Sequence, residues 1–232
     1  MSRPHPLDRP AYASLTGPHA HFAEWRGNVV RYPADVSPFL VVPERPDAAD
    51  WADVAALAGP GTVVPLVDVL SAPPDTWEMV MSLAGVQLID NGVTGSVDAE
   101  AVRLTAADVP EMMALVERTK PGPFLSRTIE LGTYLGIRRD GRLVAMAGER
   151  LHPPGFTEIS AVCTDAAYRG QGLATRLVRT LVAEIRARGE TPFMHAAAHN
   201  TTAIRLYESL GFQVRRTATF AAARVPGEVA AA

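Results

Sequence analysis

The chain has 232 residues, of which 47% are hydrophobic and 20% charged, and it carries a net charge of −3 at neutral pH. That length can bury a sizeable core in one large domain or two small ones, and the charge balance gives no reason to expect nucleic acid as a partner. The single cysteine, Cys163, excludes an internal disulfide or a cysteine-built zinc site; the run Met1–Pro6 lacks a signal-peptide core, and no apolar run approaches the ~20 residues that cross a bilayer, so a cytoplasmic protein without a membrane partner is expected.

The first ten residues and the tail from Glu228 to Ala232 are small, polar or proline-broken and are expected to fray. Short extended segments follow at His21–Trp25, Asn28–Tyr32 and Phe39–Val42. Asp47–Leu57 has helical texture and stops at Gly59-Pro60-Gly61. Val63–Leu70 predicts a buried strand, Asp75–Ala84 a helix ending at Gly85, and Val86–Asp90 another strand closed by Asn91-Gly92. The texture changes near residue 98, which divides the chain into an N-terminal unit, 1–98, and a C-terminal unit, 99–232.

In the second unit, Thr105 and Asp108 make a capping box ahead of Val109, Met112, Met113 and Val116 at helical spacing. Lys120-Pro121-Gly122-Pro123 stops that helix. Thr133–Arg138 and Arg142–Arg150 predict two strands joined through Asp140-Gly141, a strong hairpin signal. The loop His152–Gly155 leads to a strand at Glu158–Thr164. After a glycine run, Leu173, Leu177, Val178, Leu181, Val182 and Ile185 form one stripe of a helix that reaches Gly189. Phe193–Ala198 is a strand, Asn200–Leu210 a helix ended by Gly211, and Val214–Val225 a last extended stretch. The order is β-α-β-β-β-α-β-α-β from near Val102 onward, a mixed α/β (α+β) unit built on one mixed sheet.

The most informative segment is Arg169-Gly170-Gln171-Gly172-Leu173-Ala174. Gly170 and Gly172 let backbone approach a ligand, and the helix that starts there aims unpaired N–H groups and its positive dipole end at one spot. That is an anion site, most often filled by phosphate. A dinucleotide-binding reading fits poorly, because Thr175 stands at the third glycine position and antiparallel hairpins precede the run. The plain alternative is a glycine-rich strand-to-helix turn with no ligand.

Arg169-x-x-Gly172-x-Ala174 resembles the Q/R-x-x-G-x-G/A signature of the GNAT superfamily, the acyl-CoA-dependent N-acyltransferases. Asn200-x-x-Ala203-x-x-Leu206-Tyr207-Glu208-x-x-Gly211-Phe212 resembles that family's second motif. The likeness spans roughly Val102 to Val225 and lies closest to the branch with a glycine N-acyltransferase-like C-terminal domain. By analogy with that branch, residues 1–98 are a degenerate copy of the same fold or a small α+β cap. The implied activity moves an acetyl or other short acyl group from CoA to a primary amine, by direct attack in a ternary complex. A non-catalytic acetyl-CoA-binding regulator is the competing reading.

The resemblance also assigns roles. Gly170, Gln171, Gly172, Leu173, Ala174 and Thr175 would hold the CoA pyrophosphate, with Arg169 adding charge. Val162, Cys163 and Thr164 would pair through main chain with the pantetheine arm. Asn200 would contact CoA or simply cap its helix, and Tyr207 would protonate the leaving thiolate or sit in the core. Glu158 is the expected general base, its pKa raised by half-burial, with Glu149 the runner-up. Phe124, Leu125 and Arg127, in the region that lines the family's acceptor pocket, would set substrate choice alongside Glu149. The acceptor is expected to be a small-molecule or peptide amine, no metal is implied, and a homodimer is an option for the N-terminal unit. Cys163 reads as a buried thiol, and His152, His195 and His199 as structural or solvated side chains.

Overall fold

A computed structural model describes residues 5–67 and 72–227. In the N-terminal half, helices α1 (Pro10–Leu15) and α2 (Ala48–Ala58) accompany strands β1 (Glu24–Arg26), β2 (Val29–Arg31), β3 (Leu40–Val41), β4 (Val63–Leu66) and β5 (Glu78–Asp90). The C-terminal half runs β6 (Val102–Arg103), α3 (Val109–Thr119), β7 (Tyr134–Arg139), β8 (Arg142–Glu149), β9 (Phe156–Thr164), α4 (Leu173–Ala187), β10 (Thr191–Ala197), α5 (Thr201–Leu210) and β11 (Phe212–Arg224), the expected order. All the strands join one mixed sheet, ordered β1-β2-β3-β4-β11-β5-β10-β9-β8-β7-β6.

Local chemistry sets most boundaries. Asp47 caps α2 by accepting from the Ala49 and Asp50 amides, and Thr105 with Asp108 closes a capping box just ahead of α3. Lys120 ends α3 in the left-handed region, at φ 51°. The β7–β8 turn has positive φ at both Asp140 and Gly141, the type I′ geometry that suits the twist of a hairpin. Helix α4 buries the expected stripe, Leu173 through Ile185, against β7 to β10.

Three expectations are corrected or left open. Residues 75–84 do not form a helix. They open into β5, which pairs with β11 from Glu78–Arg224 to Asp90–Phe212. Gly85 is no stop signal either: a Cβ there would lie 2.6 Å from the Phe220 ring, so glycine lets that ring cross the strand. Nor do residues 5–10 fray. Leu7 is fully buried, and its carbonyl accepts from Gln87 and Arg215. The expected strand at Val63–Leu70 is seen over Val63–Leu66, and its last three residues lie outside the described chain, as does the tail 228–232.

The sheet runs across the 98/99 division, because β5 lies between β10 and β11. The connecting segment is pinned to α4: Arg176 bonds Asp98 and Glu100, and Thr180 Oγ1 donates to the Ser96 carbonyl. The Arg176 guanidinium holds the Asp98 carboxyl down at about 2.

Candidate active site

Parallel strands β9 and β10 pair only from Thr191–Phe156 to Phe193–Glu158. Beyond that point β9 keeps its β8 neighbour alone, so its backbone groups on the β10 side have no strand partner among the described residues. The β8–β9 ladder also slips between Met146 and Gly148, and Ala161 takes φ 53°. A left-handed alanine costs about 1 kcal/mol, and bulges of this kind cluster beside functional sites, where they redirect a strand. A cavity of about 990 Å³ fills the wedge, lined by Ile159 to Thr164, Met194, Asn200 and Tyr207 among others. An exposed strand edge of this sort can take an extended ligand arm by main-chain pairing.

The glycine run follows at the end of β9. Gly170 and Gly172 have φ of 79° and 73°, which other residues adopt only with strain. A Cβ at either would meet nothing within 4 Å, so the space beside them is open. Gly172 caps α4 without any side-chain cap. Among the described residues, none of the six backbone N–H groups from Gly170 to Thr175 has an acceptor; the first helical bond is Arg176 N–H to the Gly172 carbonyl. Six unpaired donors in and just ahead of a helix N-terminus form an anion cradle. Arg169 and Thr164 lie in the cavity wall, and the cradle starts one residue later.

Tyr207 is buried but reaches the cavity, and burial, with the neighbouring Cys163 thiol, pushes its pKa up to about 12. It is therefore a phenol, able to donate, at any ordinary pH. Burial also raises the Cys163 thiol, against a hydrogen bond from Thr119 that lowers it, which keeps it protonated and a poor nucleophile. Asn200 accepts from the Ala203 amide as the α5 N-cap and also lines the cavity.

The expected carboxylates are placed differently. Glu158 is fully buried and outside the cavity wall. Its carboxylate accepts from Arg150 Nε at 2.9 Å and Nη2 at 2.6 Å, and faces His195 Nδ1 at 2.8 Å. Desolvation pushes its pKa up, yet the Arg150 charge and these hydrogen bonds outweigh it and hold the carboxyl at about 2, the reverse of the expected rise. Glu149 is also buried and outside the wall, bonded to Arg188 Nη2 at 2.7 Å and the Thr133 amide at 3.1 Å. Phe124 packs on Tyr134 in the core, while Arg127 pairs with Glu130 and Asp35 on the surface; Leu125 is likewise outside the wall. The wall takes the preceding residues instead, Thr119 to Pro123.

Several wall residues carry no sequence motif: Asp8, Phe39, Arg150, His195 and Arg216. His195 stands opposite Gln87 in the β10–β5 register, and Gln87 opposite Arg216 in the β5–β11 register. For His195 and Arg216, only the strand pairing could have revealed this.

The FR47-like protein family matches residues 134–221. A solved structure of a GNAT-family protein from Novosphingobium aromaticivorans is 42% identical, covering 97% of this chain and all of that one, with a TM-score of 0.86. The N-alpha-acetyltransferase RimI of Mycobacterium tuberculosis is 40% identical over 83 residues, which is 34% of this chain and 51% of the relative. The [ribosomal protein bS18]-alanine N-acetyltransferase of Escherichia coli is 30% identical over 115 residues, 47% of this chain and 77% of the relative. The match thus spans about half the length of the Mycobacterium tuberculosis protein and 22% of a mycothiol acetyltransferase from Corynebacterium glutamicum. Overall likeness along both full chains, at 42% identity, places this chain in the GNAT family of acetyltransferases.

Proposed function

We propose that the protein transfers an acetyl group from acetyl-CoA to a primary amine by direct attack in a ternary complex. The observation that carries this reading is the row of six unpaired N–H groups, Gly170 to Thr175, set at the end of the same strand whose free edge opens into the cavity. The cradle suits the pyrophosphate of CoA, Arg169 adds charge, and Val162 to Thr164 offer main chain to the pantetheine arm. Asn200 lies where the arm enters. The likeness to the glycine N-acyltransferase-like branch belongs to the same proposal, supported by the motif pair alone.

In the reaction the neutral amine attacks the thioester carbon. The C–N bond forms, the C–S bond breaks, and the departing thiolate takes the Tyr207 phenolic proton. The proton shed by the attacking nitrogen restores that phenol. The ammonium of the free acceptor loses its first proton to solvent in the open cavity, since Glu158 and Glu149 are locked in ion pairs. The halves divide the labour: 99–232 supplies cradle, wedge and Tyr207, and 1–98 supplies Asp8, Phe39 and other parts of the wall.

The test is Tyr207→Phe, assayed by thiol release and by calorimetric titration with acetyl-CoA. A drop in kcat of roughly a hundredfold, with acetyl-CoA affinity nearly kept, is expected for loss of a general acid. An unchanged kcat would overturn the role of Tyr207. Tight acetyl-CoA binding with no transfer to any amine in a broad panel would favour the regulatory module.

A further inference from the structure

A row of polar side chains crosses one face of the sheet beneath the cavity. Arg150 pairs with Glu158, Glu158 with His195, and His195 Nε2 lies 3.1 Å from Gln87 Nε2. Gln87 Oε1 accepts from Arg215 Nη1 at 2.9 Å, and Arg215 Nη2 bonds Asp8 Oδ1 at 2.6 Å. The β11 register slips between Val214 and Arg216. That irregularity turns two consecutive arginines, Arg215 and Arg216, toward one carboxylate, Asp8. Three guanidinium groups therefore face two carboxylates, Glu158 and Asp8. Apart from His195, one positive charge is left uncompensated among the described residues.

Both ends of the row reach the cavity with a donor to spare. Arg150 is held by the bidentate grip of Glu158 and stacks over the Phe39 ring at 5.0 Å. Its side chain is only 14% exposed, it lines the cavity, and among the described residues its Nη1 has no hydrogen-bond partner. Arg216 donates through Nε to the Thr217 carbonyl and through Nη1 to the Asp8 carbonyl, and its Nη2 has no partner among the described residues. A rigid, half-desolvated guanidinium with a free nitrogen suits an oxyanion better than a flexible lysine would. Among the described residues the wall holds one carboxylate, Asp8, already taken by the arginines, so the described wall offers a polycationic amine no free partner. Around the row the wall is apolar, with Leu83, Phe39 and Phe220.

We propose that the acceptor amine carries a carboxylate and an apolar body, and that Arg150 and Arg216 are the residues that select the carboxylate. Among the described residues the row itself holds a single uncompensated charge, which balances a monoanion and falls short of a phosphate dianion. The inference rests on the acyl-transfer reading for the identity of the cavity, and its test does not depend on turnover.

The full chain, loaded with CoA, is titrated calorimetrically with matched amines: phenylalanine, phenylalaninamide and phenethylamine, then β-alanine and O-phosphoethanolamine. Phenylalanine is expected to bind roughly tenfold or more tightly than its amide, the scale of one charge-assisted hydrogen bond. Equal or tighter binding of the amide or of phenethylamine, or no measurable binding of any carboxylated amine, would overturn the proposal. Tighter binding of O-phosphoethanolamine than of β-alanine would overturn the choice of carboxylate. Arg216→Gln, at a partly exposed site, should shrink the phenylalanine-to-amide ratio severalfold. Removing Arg150 alone would leave Glu158 charged and buried, so the second variant is the double change Arg150→Gln with Glu158→Gln, which should bring the ratio close to one. A ratio that survives both variants sinks the assignment. Thiol release in parallel samples with acetyl-CoA reads the transfer reaction separately: binding preference without transfer would leave this inference standing and remove the enzymatic one.

Discussion

Glu158 shows how a residue can stand where a family likeness implies a base and still be unsuited to that task. A base must give up its charge partner to a proton, and this carboxylate has two cationic or donor neighbours holding it ionised. Its depressed pKa is a stability term. The carboxyl titrates near 4.5 when unfolded and near 2 when folded, so the folded state gains above about 4.5 and loses that gain as pH falls toward 2. Glu158→Gln is expected to lower the melting temperature at neutral pH, because Arg150 keeps a buried charge without its partner, a change worth about 3–5 kcal/mol. The variant should also lose less further stability between pH 4.5 and pH 3 than the parent does. Thermal denaturation at three pH values measures both effects; a parallel pair of curves would show that the ion pair carries no linkage. Separately, a variant that kept its kcat would support solvent as the proton acceptor.

At the scale of elements, the start of α4 joins local conformation to ligand capture. Gly172 has both a positive φ and open space where a side chain would go. Gly172→Ala should cost about 1 kcal/mol in backbone strain and also push a methyl group into the phosphate position. A weaker acetyl-CoA affinity, read by calorimetry, together with only a small drop in melting temperature, is the expected pair of results. A large loss of stability with unchanged affinity would mean that the turn serves the fold and not the ligand. This part of the site was legible in the sequence because it is local: Gly170, Gly172, Asn200, Tyr207 and Gly211 sit at fixed spacings along two helix boundaries. The charged row under the cavity was not legible. Gln87, His195 and Arg216 come together only through strand registers, and a register is a long-range pairing that no short window contains. The same reason explains the misread segment 75–84. Met79, Val80, Leu83 and Ala84 fall at helix-compatible spacings, and what makes them a strand is β11, more than 130 residues away in the chain. Leu7 was missed because a single buried leucine between prolines shows no period at all.

For the whole molecule, the central fact is the position of β5. It comes from the first hundred residues, yet β10 and β11 flank it on both sides. A fragment covering 99–232 keeps every motif residue and loses the strand that joins its last two. That fragment is expected to be insoluble or molten, with weak near-ultraviolet dichroism and little acetyl-CoA binding, whereas co-expression with 1–98 should restore both. A soluble, cooperatively melting, acetyl-CoA-binding 99–232 fragment would show that β5 is dispensable. Among the described residues no helix is long and apolar enough to cross a membrane.

The same strand has a consequence during synthesis. Residues 78–90 leave the ribosome about a hundred residues before 191–224, the segments that must clasp them. At typical translation speeds that is a wait of roughly 5–20 s. Throughout it, Met79, Val80 and Met81, which stay partly exposed even in the finished protein, belong to an unzipped hydrophobic ribbon. The nascent chain thus passes through a sticky, chaperone-attractive stage set by the order in which its parts are made.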